Sequence, residues 1–530
     1  MARWIGKHWI WLTVLGTAAV YAPLAGNSLE ERAKQRNLDT LAEVMTLVQK
    51  HAVEPPTTRQ TAHAAIQGML HTLDPHSNFF SEDDFRRMRE DQQGSFFGIG
   101  ATISQRPDGV VVMGLILGGP AERGGLAPGD YIKEIDGKST DGWNSNQVVQ
   151  KLRGEKGTVV EVAVQRVGVE KLLRFSLTRA QVPSESVSYK FMLTPEVGLI
   201  SIKEFAENTG PEFQKAVASL KAKGMKSLIL DLRHNPGGIL DAAVHICRQL
   251  LGPNELIVSQ RGRDGRDPVE YRTERGKGLD PFPIVVLIDR NSASASEIVA
   301  GAVQDQDRGL VVGTTSWGKG LVQSSILIGR TRGLHLTTAR YYTPSGRCIQ
   351  RDYQHGLDDY YLADDNDRDV NVSKGKVFKT SLGRDVFEAG GITPDHKVVP
   401  ERLSTAVTRI YRDGLFFRFA LVEKARDGIL PGQSISDGQM ERFRAFLKEQ
   451  NFPMADEDWR EPKNQRDMRD QISYELQALL HGSESGFRYL CERDIQVKRA
   501  LELLPEAEAL LQRKLQLTRA EAKTTPSVRP

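Results

Sequence analysis

Asn291-Ser-Ala-Ser-Ala-Ser-Glu297 and Thr315-Ser-Trp-Gly-Lys-Gly320 are the two runs that decide how this chain folds. The first follows an apolar run, Ile284 to Ile288, and leads into a helix-like stretch, Glu297 to Gln304. Its small hydroxyl residues therefore stand where a strand turns into a helix. A serine there presents its hydroxyl at the positive end of the helix. The second run sets Lys319 between two glycines, twenty-five residues after Ser294. A lysine buried nearby can lose its proton and act as a base, so no histidine is required. From residue types alone, Ser292, Ser294 and Ser296 are equal candidates for the reactive hydroxyl.

Three further stretches fit the same picture: Asp231-Leu-Arg-His-Asn-Pro-Gly-Gly238, Tyr341-Tyr-Thr-Pro-Ser-Gly-Arg347 and Gly390-Gly-Ile-Thr-Pro-Asp395. With the serine and Gly-Lys-Gly runs, they resemble the carboxyl-terminal processing (tail-specific) serine proteases, peptidase family S41. The resemblance extends from about residue 35 to 400. It implies that Ser294 is the nucleophile and that the Ala295 N–H faces the oxyanion. It implies a second oxyanion donor in the Gly237-Gly238 turn, without saying which glycine. Lys319 is the implied general base, and Gln323 completes a Ser-Lys-Gln arrangement by holding the amine without adding charge. Asp305 and Glu297 are read as structural support. Four residues of extended strand span ~13 Å, so the chain must bend at Gly318 or Gly320 for Gln323 to reach Lys319. A free lysine titrates near ~10.4, and the role of Lys319 requires that value to be lowered by burial or nearby positive charge.

Two other readings of the same residues are weaker. Gly313-Thr-Thr-Ser-Trp-Gly-Lys319 matches a phosphate-binding loop for seven positions, but Gly320 stands where a Ser or Thr should bind magnesium. The stretch that follows, Leu321 to Ile328, lacks the amphipathic pattern of the helix such a loop needs. His234, His245 and His335 lie in the core region and could serve a Ser-His-Asp triad, yet His234 reads as structural. No metal or other cofactor is implied.

Residues 94–181 change character. Glycine-bearing strands, a short helix after Pro120, a turn at Leu126 to Asp130 and a helix from Asn146 to Leu152 follow in the order of a PDZ domain. Such a domain adds a peptide tail to a sheet edge as an extra strand and seats the terminal carboxylate on backbone N–H groups. Phe97-Gly98-Ile99-Gly100 is the candidate loop, because its glycines permit the turn that aims those groups inward.

The 530 residues suggest about three to four domains. The expected fold is multidomain α+β: a PDZ domain and a crotonase/Clp-protease-like α/β core, the latter implied by the resemblance, with helical N-terminal and C-terminal regions. Residues 1–29 read as a signal peptide or membrane anchor, because Arg3 and Lys7 precede an uncharged stretch from His8 to Leu29. Residues 30–93 read as a helical region, 94–181 as the PDZ domain, 182–400 as the protease core and 401–530 as a second helical region. Asp74-Pro-His-Ser-Asn78 should break the first helical region, and helices are expected in the second from Leu403 to Lys424 and from Phe487 to Leu504. The net charge of +3 gives no argument for nucleic acid. Cys247, Cys348 and Cys491 make no metal-ligand spacing and read as small buried thiols.

The function expected is that of a periplasmic or otherwise extracytoplasmic endopeptidase. Its substrates are proteins or peptides with free C-termini, and its N-terminal segment gives it membrane contact. The alternative is a catalytically silent PDZ scaffold or chaperone on a protease-like fold. A stripe of Leu490, Val497, Leu501 and Leu504 in the C-terminal region needs an apolar cover. The expectation is that part of this region serves homo-oligomer assembly or an adaptor protein and takes no part in chemistry.

Overall fold

The computed structural model describes residues 29–265, 268–275, 280–354, 356, 360–361, 375–388 and 390–524. The segment read as a signal or anchor thus lies outside the described residues, apart from Leu29. So does most of the polar stretch after Asp352. Among the described residues no helix is long and apolar enough to cross a membrane. The chain divides into two compact units, residues up to 81 with 324–336, and residues 82–323 with 337–530.

In the smaller unit, helices at 29–51 and Thr58–His71 precede a short strand, Asn78–Phe80, that pairs antiparallel with residues 333–335. The second helix opens on a reciprocal Thr57–Gln60 capping box. The break expected at Asp74-Pro-His-Ser has a cause. The buried Asp74 carboxylate accepts the N–H groups of His76 and Ser77 and the Ser77 hydroxyl, so the chain turns around one side chain.

The larger unit is built on a sheet ordered Val187–Met192, Val197–Ile202, Ser227–Asp231, Ile284–Ile288, Leu310–Gly313 and His396–Lys397. The first pair is antiparallel and every later neighbour is parallel. Both faces of these strands are apolar, as a sheet covered on two sides requires. Ile200, Leu230, Val286 and Val311 face the helices Thr209–Ala222, Leu240–Leu250 and Ala295–Asp305. Leu199, Ile229, Val285 and Val312 face the other way, onto Cys491, Val497, Ala500, Leu503 and Ala507. The second layer therefore comes from the C-terminal region, whose helices there run Ser483–Cys491, Ile495–Glu502 and Leu504–Thr524. The stripe around Val497, which needed an apolar cover either within the chain or on another subunit, finds that cover within the chain. Val497 is fully buried on the sheet, with Leu501 and Leu504 packed beside it. The expectation of one continuous helix from Phe487 to Leu504 is corrected, because Asp494 caps a fresh helix start.

Residues 405–480 form a separate helical cluster around Phe416, Phe419, Phe443, Met468 and Ile472. The helix expected from Leu403 to Lys424 is two, Thr405–Arg412 and Leu415–Arg426, divided at Gly414 in the left-handed region. Against this cluster lies the PDZ-like sheet, ordered Ala101–Arg106, Gly109–Leu115, Tyr131–Ile135, Val159–Gln165 and Leu173–Thr178. Val111 and Tyr131 meet Phe417, and the Arg106 guanidinium lies over the same ring. Ser95–Gly98 pairs with Ala180–Pro183 in a two-stranded ladder of its own.

Behind the helix Ala295–Asp305 a polar network closes the core. Arg347 Nη2 donates to Asp305 Oδ1 at 2.7 Å and to Gln304 Oε1 at 2.6 Å, with both charged side chains fully buried. Asp305 thus has the structural role read from the sequence. Removing one member of a buried pair strands the other charge. Asp305→Ala is therefore expected to destabilise the protein by about 3–5 kcal/mol, measured by urea denaturation. A change under about 1 kcal/mol, the range of exposed pairs, would show that the pair is not load-carrying.

Candidate active site

Ser227–Asp231, Ile284–Ile288 and Leu310–Gly313 are parallel neighbours, so the loops leaving their carboxyl ends meet at one end of the sheet. Ligands bind there in open α/β sheets. The three loops are Leu232–Gly238, Asp289–Ser294 and Thr314–Gly320, and they carry the motifs singled out in the sequence.

Hydrogen bonds separate the three candidate serines. Ser292 Oγ donates to the Leu232 carbonyl at 2.8 Å, and Ser296 Oγ to the Asn235 carbonyl at 2.9 Å. Both are fully buried and tie the serine loop to the glycine turn, whereas Ser294 keeps 9% of its surface exposed. Ser294 also holds φ 55° and ψ −110° as the residue before the helix Ala295–Asp305. That conformation is strained for a residue with a side chain, and such strain concentrates at functional sites.

The glycine turn lies directly against it. A Cβ on Gly237 would come within 2.8 Å of Ser294 Cβ and 2.9 Å of the Ala295 nitrogen. A Cβ on Gly238 would strike the Phe205 carbonyl oxygen at 2.0 Å. Neither position tolerates a side chain. The Gly237 N–H already donates to Asn235 Oδ1 at 2.9 Å. Asn235 is fully buried and was not singled out in the sequence. Its Nδ2 donates to the Ile202 carbonyl and its own carbonyl accepts from the Ala293 N–H.

Glu297 joins the serine loop to the lysine loop. Its carboxylate is fully buried and accepts the Ser294 N–H at 2.7 Å, the Lys319 N–H at 2.9 Å, the Gly318 N–H at 2.7 Å and the Ser316 hydroxyl at 2.5 Å. The backbone nitrogens of Ser294 and Lys319 share one oxygen, Oε2. Burial pushes the carboxyl pKa up, and the converging donors oppose that shift. The sequence signal was present as Ser-x-x-Glu at a helix start, but not the reach to residues 316–319.

Lys319 is half-buried, in a loop that bends at Gly318, φ 90°. Gln323 lies on the strand Leu321–Ile328 that follows, and its Nε2 donates to Thr337 Oγ1 at 3.4 Å. The segment after the Gly-Lys-Gly run is therefore a strand, not the helix that a phosphate-binding loop requires. His234 belongs to another pair: its Nδ1 lies 2.8 Å from Asp289 Oδ2, and that hydrogen bond holds the imidazole pKa above its ordinary value. His335 bonds the Ser325 hydroxyl, and the His245 ring lies against Gly210. Cys247 and Cys491 are buried, and burial pushes both thiols up. Cys348 is only partly buried, with its thiol also raised. Among the described residues no group of acidic, histidine and cysteine side chains could hold a metal ion.

In the PDZ-like part, Ala101–Arg106 is an edge strand, with the helix Ser145–Leu152 beside it. Just before it, the Ile99 carbonyl accepts from the Ala121 N–H at 2.7 Å and the Gly100 carbonyl from the Ile116 N–H at 2.9 Å. The N–H groups of Ile99 and Gly100 have no partner among the described residues. Phe97 and Gly98 lie in the preceding ladder, paired with Gln181 and Ala180.

The sequence pattern of peptidase family S41 matches residues 196–359, and that of a PDZ domain matches residues 111–166. A carboxy-terminal-processing protease of Bartonella bacilliformis is 37% identical over 324 residues, which is 60% of this chain and 74% of the relative. The chain belongs to the carboxy-terminal processing proteases of peptidase family S41. The carboxy-terminal processing protease CtpB of Bacillus subtilis is 34% identical over 338 residues, 63% of this chain and 69% of the relative. Among solved structures, a photosystem II D1 C-terminal processing protease aligns over 68% of this chain and 87% of its own, at 28% identity and TM-score 0.35.

In this processing protease the Glu297 carboxylate faces only donors, so an amide cannot replace it: one of its two atoms would itself be a donor. Glu297→Gln is expected to lower the cleavage rate on the order of 10²-fold, through misplacement of the two loops. It should also cost about 1–3 kcal/mol of stability. Steady-state cleavage and thermal melting of the purified variant check both, and wild-type values for either would contradict the linking role.

Proposed function

We propose that the protein is an endopeptidase that captures the free C-terminus of a protein in its PDZ groove and cleaves an internal peptide bond with Ser294 and Lys319. The observation that carries this reading is the shared Glu297 oxygen between the Ser294 and Lys319 nitrogens, with the glycine turn packed against Ser294. Ser294 Oγ attacks the substrate carbonyl carbon while neutral Lys319 Nζ takes its proton. The oxyanion that forms is held by the Ala295 N–H, at the open first turn of its helix, and by the Gly238 N–H. Gly238 is favoured over Gly237 because the Gly237 N–H is committed to Asn235.

Collapse of the adduct breaks the C–N bond, and Lys319 passes the proton to the leaving amine. Water then attacks the acyl-enzyme, gives a proton to Lys319, and the product acid leaves as the proton returns to Ser294 Oγ. Gln323 holds the Lys319 amine. In the PDZ part, a substrate tail lies along the Ala101–Arg106 edge with its carboxylate on the N–H groups of Phe97-Gly98-Ile99-Gly100, foremost those of Ile99 and Gly100. The basic-then-apolar start of the chain supports work outside the cytoplasm, with residues 1–29 as export signal or anchor.

Ser294→Ala and Lys319→Ala are each expected to abolish cleavage while the protein stays folded. The double variant should be no worse than either single one, since the two residues act as a unit. A Ser294→Ala protein that still cleaves, while Ser292→Ala or Ser296→Ala does not, assigns the nucleophile elsewhere.

A terminal carboxylate on backbone N–H groups makes charge-assisted hydrogen bonds worth about 1.5–3 kcal/mol each. C-terminal amidation of one substrate should therefore weaken its capture at least about tenfold. Competition binding of the acid and amide forms measures this, and equal affinities would rule out carboxylate capture.

A further inference from the structure

The turn that ends in Gly237-Gly238 is gripped from two sides. On the serine side, Ser292, Ala293 and Ser296 bond its carbonyls. On the other side stands Arg233. Its Nε donates to Asp231 Oδ1 at 2.9 Å and its Nη2 to Asp231 Oδ2 at 2.8 Å, a planar fork on one carboxylate. The remaining arm, Nη1, leaves the core altogether. It donates to Asp494 Oδ2 at 2.6 Å and to Gln496 Oε1 at 2.8 Å, both in the C-terminal region. The Arg233 side chain is only 12% exposed and that of Asp494 27%, so solvent competes little for this contact.

Asp494 divides its two oxygens between two tasks. Oδ1 caps the helix Ile495–Glu502 by accepting the N–H groups of Gln496, at 2.7 Å, and Val497, at 3.2 Å. Oδ2 takes Arg233. The capped helix is itself fixed to the back of the sheet by the buried Val497 and Ala500, and Gln496 Nε2 donates to the Val398 carbonyl at 2.7 Å. A rigid path of charge-assisted bonds therefore runs from the C-terminal region to the turn five residues before Gly238.

We propose that Asp494 is a positioning residue for the oxyanion turn and acts through Arg233, which makes the C-terminal region a support of the active site. This rests on the reading of Gly238 as an oxyanion donor. Oxyanion donors work only if held to within about 0.5 Å of their place, and they act on the transition state more than on bound substrate. Losing the support should therefore lower kcat and leave KM nearly unchanged.

Asp494→Asn in the full chain isolates the contact. Asparagine caps a helix as well as aspartate does, so Oδ1 keeps its cap, while an amide nitrogen then confronts the Arg233 guanidinium. The expected result is a fall in kcat of at least about tenfold, with KM, tail-peptide affinity and melting temperature close to wild type. Gln496→Met removes the second acceptor, together with the bond to the Val398 carbonyl, while leaving the Asp494 cap in place, and should lower kcat in the same direction by less. This variant carries the test if Asp494→Asn fails to fold. Wild-type kcat in the folded variants overturns the proposal, and so does a loss of rate that vanishes on cooling the assay, since that would mark global destabilisation only. Ser294→Ala assayed in parallel keeps the two readings apart. If it is dead while Asp494→Asn cleaves normally, only the positioning role fails; if it still cleaves, the reading of the site fails first.

Discussion

A single buried carboxylate holds the two halves of the site together. Glu297 sits in the first turn of a helix, where a negative charge is favoured, and faces four donors from two loops. Taking such a group out of water is costly unless every lone pair finds a partner. Here the partners are supplied almost entirely by backbone N–H groups, so the loop that carries Lys319 can satisfy the carboxylate in essentially one conformation. Ser316 extends the arrangement. Its hydroxyl donates to Glu297 and accepts the Ile392 N–H at 2.6 Å, which ties the Gly390-to-Asp395 motif to the same centre. Motifs scattered over a hundred residues converge because each must complete the solvation of one group.

The central sheet imposes the second constraint. Parallel strands need cover on both faces, and the helices between the strands supply only one layer. The other layer is made by residues 483–511, with Cys491, Val497, Ala500, Leu503, Ala507 and Leu511 buried. The protease domain is therefore discontinuous with respect to the helical cluster at residues 405–480, which intervenes in the chain and meets the PDZ sheet at Val111, Tyr131 and Phe417. Glu475 of this cluster lies 3.9 Å from Arg106, and burial pushes its carboxyl up to about 7 despite that neighbour.

Much of this was legible in the sequence where local chemistry dictates local form. The Gly-rich turn, the strand before the serines, the PDZ order of elements and the break at Asp74 follow from residue types at fixed offsets. What was not legible depends on partners distant in the chain. Ser292, Ser294 and Ser296 look alike until the carbonyls of Leu232 and Asn235 take two of them. Gly237 and Gly238 look alike until Asn235 takes one N–H. The stripe through Val497 has the same appearance whether it meets another subunit or its own sheet. Arg233 is one charged residue among many until Asp494, more than 250 positions later, is seen beside it.

If substrate tails are captured as proposed, the edge strand Ala101–Arg106 has a consequence for which proteins this protease meets as substrates. Pairing along a strand edge is made through main-chain groups that every peptide possesses, so recognition there is largely indifferent to residue identity. What it does demand is a chain end that is extended, unpaired and long enough to leave its own fold. A compact protein whose last strand or helix is docked offers none, whatever its sequence. Substrate choice then becomes a readout of conformational state: the same polypeptide is invisible while its tail is packed and becomes a target once the tail frays. The proteins most exposed to this edge are those whose ends are locally least stable.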